Sequence, residues 1–572
     1  MNSEKKNIKI KFHILAIACM ILFCTALAPV TMQNDTYYTI KIGEHIVNQG
    51  IDMQDPFSWH EDLPYTYPHW AYDTGIYLIY HLGEMTGLAN GGMLFIYLST
   101  VILACVLGIC IYATTNKVTK NPLISFFLTL LVMYLMRDFI AARAQLVTFI
   151  LFVLTILLIE SFLESKKKRY LVGMVVVSFI IANIHVAVWP FFFVLFLPYI
   201  AEYVIATILE ANLISKLMIG FEKQKIRRIE KKLAKERKEE KQKEITYQLE
   251  EAKKRLNDRE EKEEKIIEKE TKRRQNPYKL KVIKNKAGKW LILVMIICAF
   301  TGLLTPLGDT PYTYLAKTMQ GNTTKSISEH LPLTLFDDKE TMIALALVLA
   351  ILIFTDTKIR VSDFFMIGGL IFLSFMSRRQ ISLLLIIGIF SFAKWLNYLI
   401  EKYDSEGSSK LIELMTTLLG KVITIVLIVV VCLLMVRPKL KNKFIDTKKY
   451  PVEAATWILE NLDVENIRLY NEYNYGSYLL FRGIPVFIDS RADLYTPEFN
   501  KQDEEEKGRD IFSDYINTSS IGTYYETKME EYEITHVIIV NNAKLNMFLS
   551  RNENYKQLYK DDSFVIYERT VE

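Results

Sequence analysis

The hydrophobic positions of this chain fall in long runs, and charged stretches separate them. A hydrocarbon core of ~30 Å needs ~20 apolar helical residues to cross it. Runs such as Ile14–Val30, and Leu291–Leu304 and Val422–Val436 with their flanks, meet that requirement. The pattern predicts spans near 13–31, 92–114, 122–136, 145–163, 170–186, 189–210, 289–306, 341–355, 362–377, 380–398 and 417–436, about eleven in all. A soluble core has no use for so many.

Lys and Arg in the connections give the orientation, since cytoplasmic loops carry them in excess. With the N-terminus inside, Lys166, Lys167, Lys168 and Arg169 lie inside, and so does the basic stretch from about 221. The first outer loop, 32–91, then holds Lys41 as its only Lys or Arg. An odd number of spans places the C-terminal region outside. The Lys-rich start before Ile14 resembles a signal peptide in outline. The apolar run is long for one and lacks a small-x-small cleavage site, so an uncleaved first span is expected.

Two segments depart from the span pattern. Residues 221–288 are dense in Glu, Lys and Arg, with no proline before Pro277. Good helix formers with Glu and Lys at i,i+4 spacing predict a long solvated helix or helical hairpin. It reads either as a charged spacer or as a surface for a protein partner or anionic lipid. Residues 445–572 alternate short apolar strands (Ile467–Tyr470, Val486–Ile488, His536–Val540, Phe564–Glu568) with helices (Val452–Leu462, Asn542–Leu549), which predicts a small α/β domain. The expected units are 1–220, a membrane domain with its large outer loop 32–91; 221–288, the insert; 289–436, a second membrane segment; and 445–572, the outer domain.

Composition changes this picture little. The net charge of +5 sits where a membrane protein puts it and is no nucleic-acid signature. All six cysteines lie in apolar runs, so no structural disulfide is expected, and no Cys/His cluster suggests zinc.

Candidate chemistry concentrates at the outer ends of the spans. Asp35 follows the first span directly, and Tyr37, Tyr38, Phe57, Trp59, Tyr65, Tyr67, Trp70 and Tyr72 come after it. Interfacial packing accounts for aromatics alone, and the same rings stack on sugars. A carboxylate at the mouth of a span can also act as a general base toward a hydroxyl. Arg143, Asn183 and His185, Glu329 within SISEHLP, and Arg378 with Arg379 mark other outer ends. Helix-to-helix salt bridging is one reading of these arginines. Binding of a phosphate-bearing lipid is the other, because guanidinium pairs with phosphate bidentately. His185 alone is more often a hydrogen-bonded packing residue.

Gly43-x-x-Ile46, Asp55-Pro56-Phe57-Ser58 and His69-Trp70, in order after Asp35, resemble the first outer loop of the GT-C superfamily of membrane glycosyltransferases. The nearer likeness is to bacterial members of the protein-mannosyltransferase and lipid A aminoarabinose transferase branch. ARAQLVTFILF, IANIHVAVW, LLTPLGDTPYTY and NEYNYGSYLLFRGIPVFIDSRADLY continue the resemblance over most of the chain except the basic insert. It implies a mainly α, polytopic GT-C-like fold with a C-terminal extracytoplasmic α/β domain; the long cytoplasmic charged helical insert is read from the sequence pattern alone. It implies sugar transfer from a polyprenyl-phosphate donor to an acceptor on the outer face. Asp35 matches the base; Arg143, His185, Arg378, Arg379, Asp55, Trp70 and Glu329 are the expected substrate-binding residues. Many members carry a second acid beside the base, whereas this chain has Asn34-Asp35-Thr36. That leaves a divalent metal as an open expectation, with no cofactor fixed by the sequence. The competing classes are a transporter or flippase, which would show paired repeats, and a non-catalytic scaffold, which would not gather these residues in one cavity.

Overall fold

The computed structural model describes every residue except 1, 212, 236–237, 276–279, 284, 322, 324–326, 335–338, 356, 405, 502–506, 523–524 and 571–572. Six of the described helices are long and apolar enough to cross a membrane: Lys6–Leu27, Gly91–Thr119, Ala144–Ser165, Val186–Ile208, Arg378–Tyr403 and Leu418–Lys439. Five shorter apolar helices accompany them: Pro122–Leu135, Arg169–Ile184, Gly288–Leu303, Thr341–Ile353 and Val361–Met376. The chain is a polytopic α-helical membrane protein. Apolar side chains such as Phe12, Leu107, Phe152 and Ile386 fill the centre of the bundle. Many others, including Leu418, Val422 and Leu427, stay exposed as lipid-facing residues do. Inside the bundle Lys394 Nζ reaches Glu160 at 2.7 Å and Asp363 at 3.0 Å, which ties three helices by paired charges.

The stretch expected as an interfacial loop is built. It contains helices Asn34–Gln49 and Trp70–Glu84, packed on each other. Gly43 makes their approach possible, because a Cβ there would run into the Asp73 carbonyl and Tyr77.

The charged insert is a hairpin of Leu213–Leu233 and Glu239–Gln275. Lys223–Glu260 (2.9 Å) and Glu230–Lys253 (3.6 Å) link its legs, and Ile226 and Ala252 are buried between them. Its return leg is followed by β1 (Leu280–Lys281), which pairs in parallel with β2 (Ile359–Arg360).

The C-terminal part carries a four-stranded sheet of β3 (Leu469–Tyr470), β4 (His536–Val540), β5 (Tyr555–Lys560) and β6 (Phe564–Arg569), in the order β3-β4-β6-β5. β3 and β4 are parallel; β6 is antiparallel to both β4 and β5. Helices Val452–Asn461 and Lys544–Leu549 occur where the pattern predicts them. The expected strand Val486–Ile488 is not one. Val486 instead makes an isolated parallel bridge to Ser58 of the outer loop, so the run is buried against that loop. The outer loop and the C-terminal part share one hydrophobic core, with Tyr37 stacked edge-on against Tyr450 and Tyr478.

Candidate functional site

Asp35 lies in the first turn of the Asn34–Gln49 helix, where free N–H groups and the helix dipole favour a carboxylate. Its Oδ2 forms an ion pair with Arg143. Arg143 immediately precedes the Ala144–Ser165 helix in extended backbone, which throws its side chain outward from the helix end. Burial would lower the guanidinium pKa. Asp35 and Glu329 more than offset this and hold Arg143 above the ordinary arginine range, so it stays cationic.

Both residues line a cavity of about 730 Å³. His69, His185, Glu329, His330, Arg379 and Asp493 line it too. His185 sits at the break between the Arg169–Ile184 helix and the turn Val186–Val188. The Val186 N–H donates to the Pro68 carbonyl at 3.0 Å, which brings His69 and His185 to an edge-to-face contact of 4.7 Å. Thr148 Oγ1 donates to the Ala144 carbonyl (3.1 Å), so its 2.9 Å contact with His185 is a donation from Nδ1. Nε2 of His185 is then an acceptor. Burial pushes His69 down to about 4, with Asp35 opposing the shift and Arg379 and Arg143 adding to it. His330 is likewise pushed down to about 4 by burial and Arg379. Both rings are neutral at physiological pH.

One wall is apolar. Val188 and Phe191, with Leu373 and Met376 at the end of the Val361–Met376 helix, lead to the turn Arg378–Gln380 that carries Arg379. The opposite wall comes from the C-terminal part: Tyr473, Asn474, Ser490, Arg491 and Asp493. Asn34 Nδ2 donates to the Tyr473 carbonyl at 3.0 Å, which an aspartate in its place would repel.

Three expected binding residues do not line this cavity. Asp55 is buried in a clamp, accepting from Arg491 Nη1 at 2.6 Å and from the Ser58 N–H at 3.0 Å. Burial alone would raise its pKa, but the Arg491 charge and these hydrogen bonds hold it below the ordinary carboxylate range. Arg491 also grips Asp489 through Nε (2.9 Å) and Nη2 (2.7 Å) and stacks over Tyr65. Trp70 begins the Trp70–Glu84 helix, and its neighbour His69 faces the cavity instead. Arg378 ties its turn to the preceding segment, its backbone N–H donating to Leu331 at 2.9 Å and its Nη2 to Thr334 at 3.4 Å.

Asp493 was not expected. Tyr314 (2.8 Å), Thr318 (3.3 Å) and Thr323 (3.5 Å) donate to it, and burial raises its pKa against those bonds. The SRADLY segment was its one signal in the sequence. As for the open metal expectation, no group of three or more His, Cys, Asp or Glu side chains that could hold an ion gathers among the described residues. Asn34 supplies no anionic oxygen, and Asp35 is engaged by Arg143. This donor set does not fit a divalent cation, and no step below uses one.

No protein-family model and no curated protein matches the sequence. Solved structures do. The archaeal oligosaccharyltransferase AglB from Archaeoglobus fulgidus, in complex with an inhibitory peptide and a dolichol-phosphate, superposes with a TM-score of 0.54 at 11% identity, over 98% of this chain and 74% of that one. The same enzyme tethered to an acceptor peptide containing the NVT sequon gives 0.51 at 11%, over 97% and 74%. Its apo form gives 0.52 at 10%, over 97% and 74%. At such identities the likeness is one of fold: the chain has the GT-C fold, that of the membrane glycosyltransferase superfamily its motifs resemble.

Proposed function

We propose that the protein is a membrane glycosyltransferase that moves a sugar from a polyprenyl-phosphate donor to an acceptor on the outer face. The observation that carries this reading is a cavity that gathers Asp35, Arg143, His185 and Arg379 beside an apolar wall. The isoprenoid lies along Val188, Phe191, Leu373 and Met376. Its phosphate meets Arg379, and Arg143 on leaving its ion pair with Asp35. An acceptor hydroxyl gives its proton to Asp35, and its oxygen bonds to the anomeric carbon. The bond from that carbon to the phosphate oxygen breaks. The departing phosphate carries the charge, which the guanidiniums stabilise. One displacement inverts the anomeric centre. The neighbour bound to dolichol-phosphate supports a lipid-linked donor.

In this reading all eleven apolar helices span the membrane, with the N-terminus and residues 221–288 inside. The membrane units are 1–220 and 289–436. Residues 445–572 stand outside as the domain that closes the cavity. The membrane is the plasma membrane, where the outer-face site has access to extracytoplasmic acceptors. The test is transfer in vitro from polyprenyl-phosphate sugars by the purified protein and its Asp35→Asn variant. Sugar must reach an acceptor with the first and not with the second.

A further inference from the structure

The charged hairpin leaves the bundle at the end opposite the cavity. The Ala144–Ser165 helix shows this directly. Arg143 precedes it at the cavity, while the Leu163 carbonyl near its other end accepts from Asn285, just after the hairpin's return leg, at 2.9 Å. Twenty-two residues of helix separate the two ends by ~33 Å, about one hydrocarbon thickness. Glu202 fixes this segment at the same level, accepting from the Ile283 N–H at 3.1 Å and from Arg360 Nε at 2.7 Å.

The outgoing leg and the segment that follows the return leg both expose apolar side chains between cations. On the outgoing leg Leu217, Met218 and Phe221 are exposed, Phe221 at 70%, although Ile219 and Ile226 of the same helix are buried. Exposed Lys225 and Arg228 continue the stripe of Leu217 and Phe221 at helical spacing. After the return leg Leu280, Val282 and Ile283 are exposed beside Lys281 and Lys286, and at the start of the Gly288–Ala299 helix Lys289 lies over the ring of Trp290 at 5.8 Å. Residues 221–288 hold 25 Lys and Arg against 15 Asp and Glu, a net +10 in a chain of net +5. A solvated spacer has no use for exposed Phe and Leu at its root. A protein lying in a headgroup layer has use for both, because apolar side chains dip into the acyl boundary while Lys and Arg reach phosphates.

We infer that the outgoing leg and the segment just after the return leg form a collar that binds anionic phospholipid headgroups of the leaflet opposite the cavity. Its apolar part is Leu217, Met218, Phe221 and Leu280, and its cations are Lys225, Arg228, Lys281 and Lys286.

The experiment is amide hydrogen exchange on the full-length protein in two kinds of nanodisc, phosphatidylcholine alone and phosphatidylcholine mixed with phosphatidylglycerol. Both faces of a nanodisc have one composition, so the result does not depend on the orientation proposed above. Nor does it depend on catalysis. Segments 213–233 and 280–290 are expected to exchange several-fold more slowly in the anionic discs, and high salt should erase the difference. The triple variant Lys225→Glu, Arg228→Glu, Lys281→Glu should lose that protection, while the return leg Glu239–Gln275 keeps its exchange rate. Equal exchange in both discs overturns the proposal. So does protection that appears only on adding RNA or a soluble protein.

Discussion

Arg143 at the start of the Ala144–Ser165 helix and Asp35 in the first turn of the Asn34–Gln49 helix form an ion pair at the cavity wall. Each is held by the start of a helix. In the proposed reaction the pair orients the Asp35 carboxylate and holds the cation that would meet the departing phosphate. Arg143→Gln should therefore lower the transfer rate by ~10²-fold, the usual effect of removing one preorganised charge-stabilising donor. Arg143→Lys should recover only part of it, because an ammonium cannot pair with phosphate bidentately. Steady-state kinetics of both variants with one donor makes the comparison.

The Asp55–Arg491–Asp489 clamp predicts a stability effect without a binding effect. Both carboxylates and the guanidinium are almost wholly buried. Asp55→Ala leaves Arg491 with one partner and should cost about 3–5 kcal/mol. Thermal unfolding in detergent should show the loss, and limited proteolysis should find the outer loop cleaved sooner. At a temperature where the variant is folded, its KM for donor should match that of the parent.

The apolar wall predicts chain-length dependence. Val188→Trp should raise KM for a long polyprenyl-phosphate donor and leave a short-chain analogue nearly unaffected. An equal effect on both donors would place the isoprenoid elsewhere.

Acidification tests the neutral imidazoles. His69 and His330 are both pushed down to about 4 from an ordinary value near 6.5. Between those values the unfolded chain binds protons that the folded chain refuses, so stability falls as pH drops from about 6.5 towards 4 and then levels. The apparent Tm should decline through that window. A His69→Phe, His330→Phe variant should decline less.

Much of this was legible because the physics is local. Span existence follows from apolar length, and Asp35, Arg143, His185 and Arg379 stand out as polar residues at span ends. What was not legible depends on distant pairing. Asp493 meets Tyr314 across 179 residues, and nothing in its own segment reveals that. Asp55 sits in a motif with aromatics, and its partner Arg491 is 436 residues away, so nothing local reveals the clamp. β5 gives no apolar signal because its YKQLYK run is mostly exposed, as befits an edge strand beside β6. Val486–Ile488 reads as a strand because a buried apolar run has the same composition whether it joins a sheet or packs on a loop.

The most direct measurement is sugar transfer in vitro from a polyprenyl-phosphate donor by protein carrying Asp35→Asn. The substitution keeps size and polarity and removes the basic oxygen. The account predicts transfer by the parent protein and its loss in Asp35→Asn, at equal expression and equal donor binding. Full transfer by Asp35→Asn would contradict it.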